Sequence, residues 1–443
     1  MPRAVPPTLR SPSIRRRRTR SCSTTAPSRC SRGSVASSGS GSSGWRCHRT
    51  AQSTPSACRV PWPWARSWRT IPQQSERTPW KGGGMPEHAT VVIGSAGRRL
   101  YLVDWFREAF TALGLDGRVV VTENDPTSSA ASYGDIARYL PRYTDPAYGP
   151  ALLDVVEELR PLLYVSVNDY ELMHLHVHTD LAQQLRGRGV LVPGVSPEWQ
   201  RGCADKLQMA RLLDKIGVPT PLTLLGGNRD GIADLARRVD EVVVKHRFGS
   251  GSSGLALVPT HAVRGAVDDA VRTAPVARGR APTADDVVVQ PRLTGVEHGV
   301  DIVGDLHTPG ELSAVLARSK LRMRAGETDK AVTVDPGPFH RNAALIARAA
   351  GLTGLIDVDM FLDAAGEASV IDINPRFGGG YPFVHLAGAD VPLFYLARAF
   401  GLEAGEAWRD YGLGVLSAKY ESVRVTVGSE RNLPDGLPVK HRR

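Results

Sequence analysis

The segment VVVKHRFGSGSSGLALVP (residues 242–259) decides the fold of this chain, because a run of glycine and serine lies between two apolar stretches. The β-branched and alternating residues on either side predict one strand before the run and another after it. A Gly/Ser run is often a flexible linker. The alternative is a loop whose backbone N–H groups bind phosphate, since glycine has no side chain to cover those groups. The neighbouring motifs decide between these two interpretations.

The spacing of the glycines matches other nucleotide-binding loops only in part. Gly249, Gly251 and Gly254 have the G-x-G-x-x-G spacing of dinucleotide sites, but those sites require a helix directly after the glycines. A P-loop would end in Gly-Lys-Ser or Gly-Lys-Thr. A protein kinase would place its lysine on the strand after the loop and would add H-R-D and D-F-G; this sequence contains neither motif. Lys245 instead lies on the strand before the loop, where it can reach phosphates that the loop covers.

A predicted hairpin further along the chain carries oxygen ligands. The segments GLIDVDMFLD and ASVIDINPRFGGG, within residues 354–380, have the pattern of two strands joined by AAGE. Asp372 and Asn374 are two residues apart and share a sheet face, and Asp359 can lie opposite them. Such hard ligands suit Mg²⁺, which proteins bind through one or two carboxylates together with phosphate oxygens. Arg376 follows on the same face and can hold a phosphoryl or carboxylate oxygen.

Residues 89–198 alternate between apolar strands and amphipathic helices, which predicts a parallel α/β sheet. Single helices are predicted over 170–189 and 198–216. The chain after the second helix has the pattern of antiparallel α+β structure. Polar residues follow the parallel strands, where open α/β sheets bind ligands; they are Gly94–Gly97, Glu123–Asp125 and Asn168–Asp169.

The basic charge of the chain comes from residues 1–84, which carry a net charge of +15 and four of the five cysteines; the rest of the chain carries −5. This tail has one leucine and neither Phe nor Tyr, too little apolar surface to fold. We expect a disordered or non-native extension and a native start at Met85, with a targeting or nucleic-acid-binding arm as the alternative. The remaining cysteine, Cys203, and the absence of an apolar run of about 18 residues predict a reduced, cytoplasmic protein without a membrane span.

Several motifs, in this order, resemble the ATP-grasp superfamily, and in particular its carbamoyl-phosphate-synthase-like and amino-acid-ligase branch. They are DK (205–206), VVVKHRFGSGSSG (242–254), QPRLTGVEHGVDIV (290–303), GLIDVDMF (354–361) and IDINPRFGGG (371–380). NDYEL (168–172) resembles a strand end in the family's pre-ATP-grasp domain. The resemblance covers about 89–400. It implies a pre-ATP-grasp α/β domain (88–198), an ATP-grasp domain of two subdomains that hold ATP between them (199–400), and a C-terminal segment (401–443).

The resemblance also implies nucleotide contacts. Lys206 and Lys245 resemble the two lysines that contact the ATP phosphates. The Gly/Ser run resembles the family's phosphate lid, which favours the phosphate-binding loop over the flexible linker. The residues of this run are Gly249, Ser250, Gly251, Ser252, Ser253 and Gly254. The hinge that hydrogen-bonds adenine corresponds to Gln290, Pro291, Arg292 and Leu293, although Glu is more usual at the first position. Glu297 resembles the residue that accepts the ribose hydroxyls.

In the same way, Asp359, Asp372 and Asn374 resemble the ligands of Mg²⁺, with Mn²⁺ as an alternative ion. Asp372 replaces the commoner Glu, which shortens the ligand by one methylene. Arg376 resembles the arginine beside the transferred phosphoryl group. The basic segment 317–333 is either a solvated strand or an anionic-substrate site, in which Arg318 or Arg322 would clamp a carboxylate.

The implied activity is that of an ADP-forming carboxylate–amine ligase. ATP would phosphorylate a carboxylate, and an amine would displace phosphate from the acyl phosphate. We expect small-molecule carboxylate and amine substrates, amino acids first among them, and no membrane or nucleic-acid partner, with a homodimer left open. Two alternatives stay open: a nucleotide-binding regulatory relative without turnover, and an enzyme that phosphorylates a carboxylate or carbamate. Complete carbamoyl phosphate synthesis is disfavoured, since the sequence has one ATP-grasp unit and no glutaminase segment.

Overall fold

The computed structural model describes residues 89–249, 254–275 and 280–426, which belong to one compact unit. The predictions for residues 1–84 and for most of the lid (250–253) therefore lie outside the described residues, as does the end of the C-terminal segment (427–443). The described chain forms one parallel and two antiparallel sheets. No helix in these ranges is both long enough and apolar enough to cross a membrane.

The first sheet is parallel and has the strand order β3-β2-β1-β4. Its strands and helices are β1 (Ala89–Gly94), α1 (Leu100–Ala112), β2 (Gly117–Glu123), β3 (Ile136–Tyr139), α2 (Tyr148–Leu159), β4 (Leu163–Ser166), α3 (Asp169–Met173) and α4 (Leu181–Gly187). Every residue of β1 is buried, because α1 covers one face of the sheet and α2 with α4 covers the other. The order confirms the predicted α/β sheet. It also places β2 and β4 on opposite sides of β1, so that the direction of winding reverses between β1 and β4.

Both long helices of the sequence prediction are interrupted. The helix expected over 170–189 contains a π turn at His174–His178 and an extended Thr179, whose hydroxyl donates to the backbone oxygen of His174 at 2.7 Å. The helix expected over 198–216 consists of α5 (Pro197–Ala204) and α6 (Lys206–Lys215). Asp205 separates them, because its side chain caps the first turn of α6.

The second sheet is antiparallel, with the order β5-β8-β6-β7. Its elements are β5 (Leu224–Leu225), α7 (Arg229–Ala236), β6 (Glu241–His246), β7 (Ala256–Pro259), α8 (Val263–Thr273) and β8 (Val287–Pro291). The strands predicted on either side of the Gly/Ser run are β6 and β7, which pair directly. Helices α7 and α8 pack on the apolar face of this sheet.

The third sheet has six strands in the order β13-β12-β9-β10-β11-β14. Its elements are β9 (Val296–Gly304), β10 (Leu312–Arg324), β11 (Glu327–Val334), α9 (His340–Ala350), β12 (Gly354–Leu362), β13 (Ala368–Asn374), α10 (Tyr381–His385), α11 (Val391–Ala399) and β14 (Leu416–Ala418). The predicted hairpin is confirmed as β12 and β13. Alternate residues such as Val300, Ile302 and Val358 pack against α9. The residues between them project from the opposite face, which carries the polar groups described next.

Candidate active site

The polar face of the third sheet brings the predicted metal ligands together. Asp359 is the register partner of Asp372, and Asp357 is the partner of Asn374. Partners on one face of an antiparallel pair lie about 5 Å apart. The structure therefore groups Asp359, Asp372 and Asn374 as the hairpin pattern predicts, and it adds Asp357 beside them.

Two lysines neutralise the paired carboxylates. Lys206, the first residue of α6, donates from Nζ to Asp372 Oδ1 at 3.3 Å and to the backbone oxygen of Gly249 at 3.1 Å. Lys320 Nζ lies 2.6 Å from Asp359 Oδ1 and 2.8 Å from Glu297 Oε1. The sequence placed Lys320 only within a basic segment. Lys320 lies two residues after Arg318 on a strand, and this spacing indicates that both side chains share the polar face.

Lys245 is the second predicted phosphate-binding lysine and is buried on β6. Its Nζ donates to the backbone oxygen of Ile371 at 3.3 Å, so β6 reaches β13 across the space between the two antiparallel sheets. Burial lowers the pKa of Lys245 to about 8, although the nearby carboxylate of Asp372 favours the charged form. Burial alone would raise the pKa of Asp372, but Lys206 and Lys245 outweigh it and the pKa is lowered.

The donor set fits a divalent cation that shares its coordination with phosphate. Each carboxylate of the pair contacts a lysine ammonium group, so this face attracts positive charge. No group of three or more His, Cys, Asp and Glu side chains within the described ranges is arranged to hold a metal by itself. An ion here would therefore take one or two carboxylates, the Asn374 amide and oxygens of a phosphate ligand, as Mg²⁺ commonly does.

The two described ends of the predicted lid are glycines with positive φ angles, a conformation that glycine adopts without strain. Gly249 has φ +138° and Gly254 has φ +67°. A Cβ on Gly254 would lie 2.2 Å from the Nε2 atom of His246, so a larger residue there would displace that ring. The positions predicted between them, Ser250 to Ser253, lie outside the described residues.

The predicted adenine hinge is the link between the two antiparallel sheets. Gln290 and Pro291 end β8 in the small sheet, and Glu297 lies at the start of β9 in the large one. The buried Gln290 amide donates to the hydroxyl of Thr223 at 2.7 Å. Arg292 forms an exposed ion pair with Glu241, and Leu293 is half-buried. Glu297, the predicted ribose acceptor, accepts a hydrogen bond from Lys320.

Arg376 connects the hairpin to the parallel sheet. Its Nη2 donates to Asp169 Oδ2 at 2.6 Å and to Asn374 Oδ1 at 3.3 Å. Asp169 is the first residue of α3, three residues after the end of β4, at the sheet edge where the sequence predicts ligand binding. Arg376 therefore lies where the metal set and the carboxyl edge of the parallel sheet meet.

Arg318 does not have the surroundings expected of a substrate clamp. It is fully buried, its Nη2 donates to Asp357 Oδ1 at 2.6 Å, and its Nη1 donates to Asp301 Oδ2. A Cβ at Gly299 or Gly380 would lie within 2.8 Å of the guanidinium, so two glycines make room for it. These contacts occupy both terminal nitrogens with protein carboxylates. The alternative clamp, Arg322, pairs with Asp329.

Comparison with known proteins identifies the two halves of the described chain. The family model for ATP-grasp domains matches residues 203–380, and the model for PylC-like N-terminal domains matches residues 91–188. The chain therefore contains an ATP-grasp domain preceded by a PylC-like N-terminal domain. The predicted resemblance is thereby confirmed, with the parallel sheet in the PylC-like region and the polar cleft in the ATP-grasp domain.

Curated proteins similar to this chain include sections of the carbamoyl phosphate synthase large chain. The C-terminal section of the carbamoyl phosphate synthase large chain from Methanopyrus kandleri is 22% identical over 308 residues, which are 67% of this chain and 54% of that protein. This ATP-grasp chain thus spans about half the length of that curated relative.

Two solved structures illustrate the shared fold. The biotin carboxylase domain of 2-oxoglutarate carboxylase from Hydrogenobacter thermophilus, in complex with MgADP, ADP and bicarbonate, has a TM-score of 0.55 and 18% identity, and the match covers 74% of this chain and 73% of that one. The L-amino acid ligase from Bacillus licheniformis has a TM-score of 0.53 and 16% identity, with coverage of 74% and 78%. These neighbours confirm the predicted fold class.

Proposed function

We propose that this ATP-grasp protein is a Mg²⁺-dependent carboxylate–amine ligase that forms ADP by way of an acyl phosphate. The observation that carries the proposal is the convergence of Lys206, Lys245, Asp359 and Asp372 between the two antiparallel sheets. Two lysines and a paired-carboxylate cation site are what a triphosphate and its metal require. A solved neighbour with MgADP and another named as an L-amino acid ligase support the same assignment.

Each residue has a definite task in this proposal. Lys206 and Lys245 bind the β- and γ-phosphates, and Asp359, Asp372 and Asn374 hold Mg²⁺, which would offset the negative charge of the phosphoryl group during transfer. Arg376 binds the transferred phosphoryl oxygens. We assign Arg318 to positioning, because it fixes Asp357 and Asp301 below the cation site.

The reaction balances without a further reagent. The substrate carboxylate attacks the γ-phosphorus, and ADP leaves. The amine nitrogen then attacks the acyl carbon, the bond from that carbon to the phosphate oxygen breaks, and phosphate leaves with the bonding electrons. Of the two protons that an ammonium substrate loses, one goes to phosphate and one to solvent. Exclusion of water from the acyl phosphate would protect it from hydrolysis.

The test is ADP release by the purified protein with Mg-ATP and each of the common amino acids, singly and in pairs, with hydroxylamine as a trap for acyl phosphate. We expect ADP and a hydroxamate with at least one carboxylate. Asp372→Asn should lower the rate by roughly 10²–10³, the usual loss for one such electrostatic group. Asp363→Asn, the same change in the turn of the same hairpin, is the matched control.

Two other outcomes would favour the alternatives. ATP binding without ADP release for any carboxylate would favour a regulatory nucleotide-binding protein. ADP release that depends on a carboxylate, with an accumulating acyl phosphate and no amine product, would favour an enzyme that only phosphorylates. If Asp372→Asn turned over at the wild-type rate, the hairpin would not be the metal site.

A further inference from the structure

The linker between α4 and α5, residues 188–196, forms one wall of a cavity of about 690 Å³. The other walls come from α4, from the π turn before it, and from the turns after β9 and before β12. This volume is within the range of about 300–1,000 Å³ that small-molecule sites occupy. We call this space the linker cavity, and its lining includes Leu175, His176, Arg186, Val192, Ser196 and Leu306.

The linker cavity lies outside the nucleotide cleft. Helix α5 begins at Pro197, which lines the cavity, and ends at Ala204, two residues before Lys206. The eight residues of α5 span about 12 Å, so the cavity and Lys206 are at opposite ends of this helix. None of the nucleotide- or metal-binding residues proposed above is among the described residues that line the cavity. A molecule bound here would therefore be a second ligand, in addition to ATP.

Arg186 brings a positive charge to the cavity that no carboxylate balances. Its Nη2 donates to the backbone oxygen of Val192 at 2.9 Å, and within the described ranges it forms no ion pair. Burial lowers the pKa of Arg186, and no neighbouring negative charge offsets that effect. Asp180 is the one acidic side chain among the described lining residues, and it accepts a hydrogen bond from Gln184 at 2.8 Å. A guanidinium in such surroundings favours a carboxylate or phosphate ligand.

The N-terminal end of α5 adds a second source of positive potential. Ser196 is the N-cap residue and lines the cavity, but its side chain makes no capping hydrogen bond. The first N–H groups of a helix lack partners within the helix, and together with the helix dipole they attract anions. Glu198, the acidic residue of the first turn, is exposed and does not line the cavity.

His176 contributes an unsatisfied polar group. Its side chain is buried, and its Nε2 has no hydrogen-bond partner among the described residues; such groups are rare in native proteins. A Cβ at Gly194 would lie 3.0 Å from Cε1 of the ring, so this glycine makes room for it. Burial, and then the charge of Arg186, lower the pKa of His176 to about 4, which places the two side chains near each other. The neutral imidazole can hydrogen-bond a ligand without adding charge.

We infer that the linker cavity binds a small metabolite that carries a carboxylate or phosphate group on an apolar body. Arg186 and the N-terminal end of α5 would bind the anionic group, and His176 would hydrogen-bond another polar atom of the ligand. Leu175, Val192 and Leu306 would contact the apolar part. The inference does not depend on the proposed ligase activity, because the site lies outside the cleft.

The experiment is equilibrium dialysis of the purified protein against a defined mixture of small carboxylic acids and phosphate esters, each accompanied by its neutral amide or alcohol. The dialysis is performed with and without Mg²⁺ and a saturating non-hydrolysable ATP analogue, which fills the cleft. Mass spectrometry identifies the retained compounds, and calorimetry gives their dissociation constants. Retention of acids or of esters decides which anionic group the site binds.

We expect at least one anionic compound to be retained in both conditions, and its neutral counterpart to bind at least about tenfold more weakly. Arg186→Met should weaken binding by about ten- to a hundredfold, the effect of losing one charge-assisted contact. Arg188→Met is the matched control, because Arg188 pairs with Glu157 and does not line the cavity. The control should bind the compound as the wild type does.

A second variant separates ligand binding from stability. Aspartate is as good an N-cap as serine, and its charge is favourable at a helix N-terminus. Ser196→Asp should therefore keep or raise the melting temperature, whereas its carboxylate should repel an anionic ligand. We expect at least about tenfold weaker binding in this folded variant.

Three results would overturn the inference. Retention of no anionic compound by the wild type would show that the cavity is not a site of this class. Displacement of the retained compound by the ATP analogue would place that compound in the cleft. Wild-type affinity in both Arg186→Met and Ser196→Asp would show that the compound binds elsewhere on the protein.

Discussion

Lys245 holds its charge in a buried position between the two antiparallel sheets, where burial lowers its pKa to about 8. In the proposed role of Lys245, the ammonium form binds phosphate and the neutral form does not. Below pH 8 the site is therefore largely charged before ATP arrives, and above pH 8 it must take up a proton to bind ATP. This sign follows because bound phosphate stabilises the charged form.

We predict that ATP affinity falls by up to about tenfold between pH 7.5 and pH 9, since about nine-tenths of Lys245 is then neutral in the free protein. Calorimetry in buffers of different ionisation enthalpy should show proton uptake on binding at pH 9. Lys245→Arg keeps its charge over this range, so its affinity should change little with pH. Equal pH dependence in the wild type and Lys245→Arg would show that another group titrates.

We propose that Arg318 supports the site by holding two carboxylates in place rather than by contacting substrate. It joins Asp301 on β9 to Asp357 on β12, and all three side chains are buried. Removing it leaves two carboxylates without compensation, which typically costs about 3–5 kcal/mol. We predict a loss of that size in the free energy of unfolding for Arg318→Met, measured with urea.

The exposed Arg324, paired with Glu421, is the control for this change. Arg324→Met should alter the free energy of unfolding by no more than about 0.5 kcal/mol. A folded Arg318→Met protein of normal stability that has lost affinity for a carboxylate substrate would instead restore the substrate-clamp role.

At the scale of elements, Asp205 determines where α6 begins and so where Lys206 points. Its Oδ1 accepts from the backbone N–H of Leu207 at 3.1 Å and of Gln208 at 3.3 Å. The same carboxylate pairs with Arg247 on the segment after β6. One side chain thus connects the helix that carries Lys206 to the strand that carries Lys245.

Asp205→Ala should lower the free energy of unfolding by about 1–2 kcal/mol through loss of the cap, and should also weaken ATP binding. Asn228 caps α7 in the same way, through the N–H of Gly231 at 3.0 Å, and it lies in none of the proposed nucleotide contacts. Asn228→Ala should therefore cost similar stability with unchanged ATP affinity. Equal ATP affinities in both variants would refute the link between the cap and the cleft.

The sequence predicts strands better than helix interruptions in this chain. The β12–β13 hairpin and the β6–β7 pair follow from alternation and turn residues, which are local signals. The break at Asp205 does not, because the same residues continue a helical pattern and only the side-chain cap shows the boundary. The contacts of Arg318 were equally hidden, since both of its partners come from other strands.

The site residues also divide into those predicted by local signals and those positioned by tertiary contacts. Asp359, Asp372 and Asn374 are brought together by strand register, which spacing predicts. The Lys320 contacts depend on how β10 packs beside β9 and β12, and the contact between Asp169 and Arg376 joins residues 207 positions apart. Sequence motifs predicted Asp169 and Arg376 near a ligand, and they placed Lys320 only in a basic segment. The partners of all three side chains are set by tertiary packing.

At the scale of the whole molecule, the parallel sheet and the third sheet share one apolar core. Trp105 on α1 stacks on His385 with ring centroids 3.7 Å apart and meets Tyr381 edge-on at 5.6 Å. Residues of α1 and α11 belong to the same buried cluster. We therefore expect calorimetry to show the two regions unfolding in one transition.

Trp105→Ala should move that single transition to lower temperature, with a loss of about 3–5 kcal/mol in the free energy of unfolding. The variant tests cooperativity because it removes an apolar side chain from the shared core only. A second transition that stays at the wild-type temperature would show that the parallel sheet and the ATP-grasp domain unfold independently.

The proposed activity requires phosphoryl transfer from ATP to a carboxylate in the cleft of Lys206, Lys245, Asp359 and Asp372. The most direct measurement uses amino acids labelled with ¹⁸O in the carboxyl group and analyses the inorganic phosphate by mass spectrometry. We predict from this transfer that each phosphate released carries one oxygen from the carboxylate, because the acyl–oxygen bond breaks when the amine attacks. Carboxylate-dependent ADP release with unlabelled phosphate would contradict it.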